Sequence, residues 1–249
     1  MRFVFLHGFT QSHHHWHQPA EQIRRAVDRD ATLAYIDLPG HGLAAADDRP
    51  ITTIGPTLAG LGGPGTWVGY SMGARFALHA ALAERHAIER LVLIGGTAGI
   101  ADPHERSARV ARDEALADEL AAGDIDGFLE RWLAAPLFAT LPTDATGLRH
   151  RRRNTAAGLA NSLRTAGTGA QASLWERLGE IAIPVLCLAG ELDAKFTGLG
   201  RELAAALPRG EFAAVPDAGH AAHTEQPTAV AALIAAWLDD ESVPAGSAD

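Results

Sequence analysis

Val68-Gly69-Tyr70-Ser71-Met72-Gly73 joins an apolar strand over residues 66–69 to a helix-forming stretch over 74–84, with one serine held between two glycines. A strand-to-helix turn of this kind forces the serine into a strained backbone conformation. It also brings neighbouring segments so close that a Cβ at Gly69 or Gly73 would clash. The Ser71 hydroxyl is thereby pushed out at the carboxyl end of a strand. A helix beginning at Met72 aims its amide groups and the positive end of its dipole at whatever charge develops nearby. The five-residue pattern alone can arise by chance. The strand before it and the helix after it make it a nucleophile elbow rather than an ordinary glycine-rich βα turn.

Outward from this turn, short apolar strands alternate with helices. Upstream, a strand over 3–6 ends in His7-Gly8-Phe9, a helix covers 19–27, a strand over 32–37 ends in Leu38-Pro39-Gly40-His41-Gly42, and a helix covers 54–61. Downstream, a strand over 90–94 is closed by Gly95-Gly96. This alternation predicts an α/β fold with a mainly parallel, doubly wound sheet covered on both faces. Between residues 101 and 178 no strand signal occurs. Helices over 105–121, 125–133 and 154–166, interrupted by Pro136 and Pro142, predict an inserted helical cap. The alternation resumes with strands over 184–189 and 211–215 and helices over 200–206 and 228–238. The expected organisation is a core from 1–100 and 179–239, a cap over 101–178 and a flexible tail over 240–249.

A length of 249 residues suits one large α/β domain with an insertion rather than two independent domains. A net charge of −9 with 47% hydrophobic residues argues against general binding of nucleic acid or anionic membranes. Lys195 is the only lysine, so the positive charge is nearly all arginine. The single cysteine, Cys187, sits in an apolar strand, which leaves no disulfide framework and points to the cytosol. The opening apolar run is too short for a signal peptide, and no stretch approaches the roughly 20 apolar residues of a membrane span. A monomer or weak homo-oligomer acting on a small molecule is expected.

A serine hydroxyl is a poor nucleophile or base until a histidine takes its proton, and that histidine needs a carboxylate to fix its tautomer. Asp193 follows the strand over 184–189, and His220 follows the last strand. Glu191 lies at the start of the same turn as Asp193, and Asp217 is too close to His220 along the chain to face it, so Asp193 is the favoured acid. The Phe9 amide, given close approach by Gly8, joins the Met72 amide as the expected oxyanion hole. His7 reads as a structural, hydrogen-bonded residue. His41 and His223 read as loop-stabilising, with His223 also a candidate to line the pocket. The run His13-His14-His15 with His17 reads as a polar loop at the pocket mouth rather than a metal site: no acidic or cysteine partner stands near it, and adjacent histidines cannot all face one ion.

The order Ser71, Asp193, His220 resembles that of the α/β-hydrolase superfamily. Within it, several stretches together resemble the 2-succinyl-6-hydroxy-2,4-cyclohexadiene-1-carboxylate (SHCHC) synthases of menaquinone biosynthesis. They are His7-Gly8-Phe9 with Trp16, Asp37 to Gly42, Gly69 to Arg75, Gly190 to Phe196 and Ala218 to His223. The resemblance implies an α/β-hydrolase fold and a polycarboxylate substrate held by Tyr70, Arg75, Arg109, Trp132 and Arg153. It implies elimination of pyruvate with the triad as base, and no metal or organic cofactor.

Guanidinium forks bind carboxylates in two-point fashion, so arginines gathered on the lid of an acidic protein suit an anionic small molecule. Read without the resemblance, Arg106, Arg109 and Arg112 are more simply a solvated helix face, and 149–153 a surface run. The competing enzyme class is a carboxylesterase or related acyl hydrolase, with Ser71 forming an acyl-enzyme and the cap selecting the acyl chain. A different class is a non-catalytic ligand receptor on the same scaffold. Cap arginines that need anionic groups separate the first reading from an esterase with an apolar lid.

Overall fold

The computed structural model describes residues 1–28, 30–84 and 86–241. Among these, six strands form one all-parallel sheet: β1 (Arg2–Leu6), β2 (Thr32–Ile36), β3 (Thr66–Tyr70), β4 (Arg90–Ile94), β5 (Val185–Gly190) and β6 (Gly210–Val215). Their order across the sheet is β2-β1-β3-β4-β5-β6. The registers pair Phe5 with Val68 and Val68 with Val92. The chain leaves β1 to one side to form β2 and returns to the other side to form β3. A crevice therefore opens at the carboxyl ends of β1 and β3, where ligands of open α/β sheets bind.

The helices are α1 (His17–Val27), α2 (Gly55–Gly62), α3 (Met72–Ala83), α4 (Pro103–Ala121), α5 (Ile125–Leu133), α6 (Leu148–Arg151), α7 (Ala156–Ala166), α8 (Ala194–Ala206), α9 (Ala222–Glu225) and α10 (Pro227–Glu241). Strand side chains alternate between faces, and the two cores follow that alternation. Phe3, Phe5, Val68, Val92 and Leu186 pack with Ile23 of α1 and Ile234 of α10. Val4, Trp67, Leu91 and Cys187 pack with Leu58 of α2, Phe76 of α3 and Leu203 of α8 on the other face. Among the described residues, no helix is long and apolar enough to cross a membrane.

Helices α4 to α7 all lie between β4 and β5 and build a small core of their own from Ala117, Leu120, Phe128, Leu129, Leu159 and Leu163. Phe9, on the loop after β1, packs against both this cluster and the sheet core.

Several helix starts differ from the sequence expectation, and caps account for two of them. The helix expected from 200 begins at Ala194, because Asp193 caps it by accepting the Phe196 N–H at 3.1 Å. The helix expected from 154 begins at Ala156, because Thr155 caps it, and Asn154 turns its side chain inward instead. The last helix extends through Glu241, and the rest of the expected tail, 242–249, lies outside the described residues.

Candidate active site

Ser71 has φ 51° and ψ −106°, a backbone state that costs a non-glycine residue of order 1–3 kcal/mol and persists only where the surroundings impose it. Here they do. The Ser71 N–H donates to Ile94 O of β4 at 2.8 Å. A Cβ on Gly73 would fall 2.2 Å from Leu6 O, and one on Gly69 would fall 2.6 Å from the backbone of Gly73, so both glycines are required for β1, β3 and α3 to meet. Ser71 stands at the N-cap of α3, yet its hydroxyl caps nothing. It faces His220 instead, with Oγ 3.0 Å from Nε2.

His220 follows β6, and its Nδ1 lies 2.9 Å from Asp193 Oδ2. A carboxylate can only accept, so Nδ1 carries the hydrogen and Nε2 is left to accept from the Ser71 hydroxyl. Burial opposes the charge on Asp193. Hydrogen bonds from His220 and the Phe196 N–H, with the charge of Lys195 nearby, outweigh it and hold the carboxyl below its ordinary range. Asp193 is thus placed to keep its charge, and the His220 ring is wedged between Phe196 and Phe138, with centroids at 4.3 and 6.2 Å. Ser71, His220 and Asp193 are brought together; Glu191 and Asp217 show no hydrogen bond to His220.

Phe9 and Met72 line the same cleft as Ser71. Among the described residues, neither backbone N–H has an acceptor in the protein, as expected of the first amide of α3. The loop carrying Phe9 is held firmly. Thr10 has φ 66°, and every polar group it offers is engaged. Its N–H donates to His41 Nε2 at 3.1 Å, its carbonyl accepts from Asn154 Nδ2 at 2.7 Å, and its hydroxyl contacts Arg151 Nη1. His41 donates from Nδ1 to Pro39 O at 2.9 Å; His7 donates from Nδ1 to Gly8 O at 2.8 Å and accepts the Leu38 N–H at 3.0 Å. Burial lowers the His41 pKa to about 3 and the His7 pKa to about 4. Both are uncharged braces of the two loops at the crevice. His223 stacks between Trp16 and Tyr70, away from the cleft lining, and burial lowers its pKa to about 3.

The cleft, with the solvent space at its mouth included, spans about 860 Å³. Tyr70, Arg75, Arg109 and Trp132 all line it, as do Arg151 and Lys195. Arg75 is buried; it donates to Ala166 O at 2.7 Å and Gln171 Oε1 at 3.1 Å, and burial, then the charge of Arg109, lowers its pKa to about 10. Arg151 is also buried, donates to Thr146 O at 2.7 Å, and is lowered by burial to about 10. Neither forms an ion pair among the described residues, whereas Arg109 pairs with Asp113 at 2.8 Å. Two buried guanidinium groups without carboxylates are costly unless a bound anion completes them. Trp132 stands edge-on to Phe9 at 5.1 Å, and its Nε1–H is buried without an acceptor.

The structure places Arg153 outside this cleft. It is exposed, with Nη1 3.2 Å from His14 Nε2, in a second cleft lined by Ser12, His13, Gly42 and His150. The reason is helical phase: α6 starts after Gly147, with φ 63°, and turns Arg151 inward and Arg152 and Arg153 outward. The run of five basic residues carried no period from which that phase could be read. The histidine loop also differs from expectation. An acidic partner does stand beside it, since Asp37 Oδ2 lies 2.7 Å from His13 Nδ1 across 24 residues of sequence. His13, His14 and His17 also converge, each offering a ligand nitrogen within 4.8 Å of the others.

The sequence profile of the alpha/beta hydrolase family matches residues 3–233. A Bacillus subtilis (strain 168) protein provisionally named a 2-succinyl-6-hydroxy-2,4-cyclohexadiene-1-carboxylate synthase is 35% identical, over 94% of this chain and 89% of its own. The protein of that name from Escherichia coli O7:K1 (strain IAI39 / ExPEC) is 33% identical, over 94% of this chain and 92% of its own. Among solved structures, MenH from S. aureus superposes with a TM-score of 0.87 at 30% identity, covering 97% of this chain and 94% of that one.

Proposed function

The chain belongs to the alpha/beta hydrolase family, and within it we propose that this enzyme is a SHCHC synthase. It would eliminate pyruvate from 2-succinyl-5-enolpyruvyl-6-hydroxy-3-cyclohexene-1-carboxylate. The observation that carries the reading is the pair of buried guanidinium groups of Arg75 and Arg151, neither in an ion pair among the described residues, lining the cleft that holds Ser71. A neutral ester leaves both charges unanswered; a substrate with several carboxylates pairs them. The relatives carrying the synthase name give the same answer from sequence.

In this mechanism the Ser71 hydroxyl, polarised by His220, takes a proton from the cyclohexene ring and passes its own to Nε2. The negative charge that builds along the conjugated system is met by the Phe9 and Met72 N–H groups. The C–O bond to the enolpyruvyl group breaks, pyruvate enolate departs, and the proton held on His220 returns to it to give pyruvate. Asp193 steadies the transient imidazolium throughout. Arg75, Arg109 and Arg151 hold carboxylates, the Trp132 Nε1–H donates a further hydrogen bond, and Tyr70 forms the floor beside the nucleophile. Helices α4 to α7 act as the lid.

Acyl transfer through a Ser71 ester draws on the same two hydrogen bonds, Ser71–His220 and His220–Asp193. The deciding experiment follows pyruvate release from the precursor generated in situ beside hydrolysis of short p-nitrophenyl esters. Rapid pyruvate release with feeble ester cleavage supports the synthase; the reverse overturns it.

A further inference from the structure

The loop after β1 carries a second concentration of imidazoles that the Ser71 chemistry does not use. A tight 3-10 turn over His13–Trp16 runs directly into α1 at His17. This winding places His13 and His17 one turn apart on a shared face, with His14 beside them. Ring centroids lie 4.0 Å apart for His13 and His14, 5.2 Å for His14 and His17, and 5.7 Å for His13 and His17. One nitrogen of each lies within 4.8 Å of the other two. Tetrahedral coordination at about 2.0–2.1 Å sets nitrogen ligands about 3.4 Å apart, so small side-chain rotations close the remaining gap.

The surroundings resemble the support given to metal-binding imidazoles. Asp37 is half-buried at the end of β2; Oδ1 accepts the His13 N–H at 2.6 Å, and Oδ2 accepts the Leu43 N–H at 2.8 Å and His13 Nδ1–H at 2.7 Å. The tautomer of neutral His13 is thereby fixed, with the lone pair on Nε2. A carboxylate behind a ligating imidazole orients it and raises its basicity. From the opposite side, His150 stacks on His14 with centroids 4.5 Å apart, and its Nδ1 is buried without a partner.

We propose that His13, His14 and His17 bind one late first-row transition-metal dication, with zinc as the reference ion and water or His150 in the fourth position. An all-imidazole donor set suits zinc, nickel or copper and is wrong for magnesium or calcium. Arg153 opposes the ion, because its Nη1 donates to His14 Nε2 at 3.2 Å. Being exposed, it swings clear when the metal takes that lone pair. The ion lies on the second cleft rather than the one holding Ser71, so its effect is to pin the loop after β1 against the segment around α6.

The test is titration of the full-length, chelator-stripped protein with Zn²⁺ by calorimetry and with Co²⁺ by visible absorption. One equivalent should bind, with cobalt bands of a tetrahedral nitrogen site and a rise in melting temperature that grows with free metal. His14→Gln and His17→Gln each weaken binding by about tenfold or more. His104→Gln, on α4 and outside the cluster, leaves binding unchanged, and Arg153→Ala tightens it. Melting curves verify that each variant is folded; His17 is exposed, so its replacement leaves the fold intact even where another does not. Zinc binding no tighter in the wild type than in the His14→Gln/His17→Gln double variant overturns the proposal. So does loss of binding in Arg153→Ala together with phosphate binding by the wild type, the signature of an anion pocket.

Discussion

Among the described residues, two half-buried aspartates each grip a histidine through Nδ1: Asp193 with His220 at 2.9 Å, and Asp37 with His13 at 2.7 Å. As pairs they are almost interchangeable, for in both the carboxylate fixes the tautomer and leaves Nε2 with its lone pair. They differ in what stands beside the ring. At His220 it is the hydroxyl of a strained serine, in a cleft lined by two guanidinium groups outside any ion pair; at His13 it is two more imidazole rings. The comparison teaches that an Asp–His pair is only a tuned lone pair, and that the third group and the field around it assign the chemistry.

The sharpest way to break the comparison is to remove each third group. Ser71→Ala should lower turnover of the precursor by more than about 10³-fold while leaving zinc affinity untouched. Steady-state rates near those of the wild type would remove Ser71 from the mechanism.

The field around the first pair is probed next. Arg75→Ala and Arg151→Ala should each raise KM for the precursor about 10- to 100-fold, as expected for one or two lost charge-assisted hydrogen bonds. A fall confined to kcat would mean that these groups do not hold the ground-state carboxylates.

Asp37→Asn addresses the second pair. Zinc affinity should fall about tenfold and kcat by no more than a few fold; a collapse of kcat with intact zinc binding would invert the assignment.

The smallest effects concern acid stability. His7, His41 and His223 are held neutral by burial, with pKa values of about 4, 3 and 3 against an ordinary 6.5. Unfolding exposes them to protonation. Their contribution is therefore fully present above pH 6.5 and lost as pH falls toward 3, with up to three protons taken up on unfolding. Asp193, lowered in the folded state, adds to the same trend below about pH 4. Urea unfolding across this range measures the slope, and a flat profile would show that the three rings are charged in the folded protein.

Much of this architecture was legible in the chain. The central strands show as short apolar runs because a parallel sheet covered on both faces buries them along their whole length, as in β3 and β5. The elbow shows because only glycine fits where β1, β3 and α3 cross. Asp193 and His220 could be placed because both follow strands, and the carboxyl ends of parallel strands share one edge.

What escaped was whatever depends on helical phase over a few residues or on side chains reaching far along the chain. Arg151 rather than Arg153 faces Ser71 because a four-residue helix starts at Gly147, and no periodicity exists over so short a run. Asp37, read as the last residue of a strand, meets His13 only after β2 is laid beside β1. The inward amide of Asn154 had no sequence signal, since its partners are the backbone of Thr10 and Gly42.

That asparagine has a practical consequence. Its carbonyl accepts the Gly42 N–H at 2.8 Å while its amide holds Thr10 O, and Arg151 grips Thr10 from the same segment. The strained loop that presents the Phe9 amide is therefore clamped by residues belonging to the inserted helices. Anyone recombining lids between members of this family to change substrate preference would have to transplant residues 7–12, 37–42 and 147–154 as a single cassette. A lid exchanged without its matching loops would arrive with the new specificity and no rigid amide to use it.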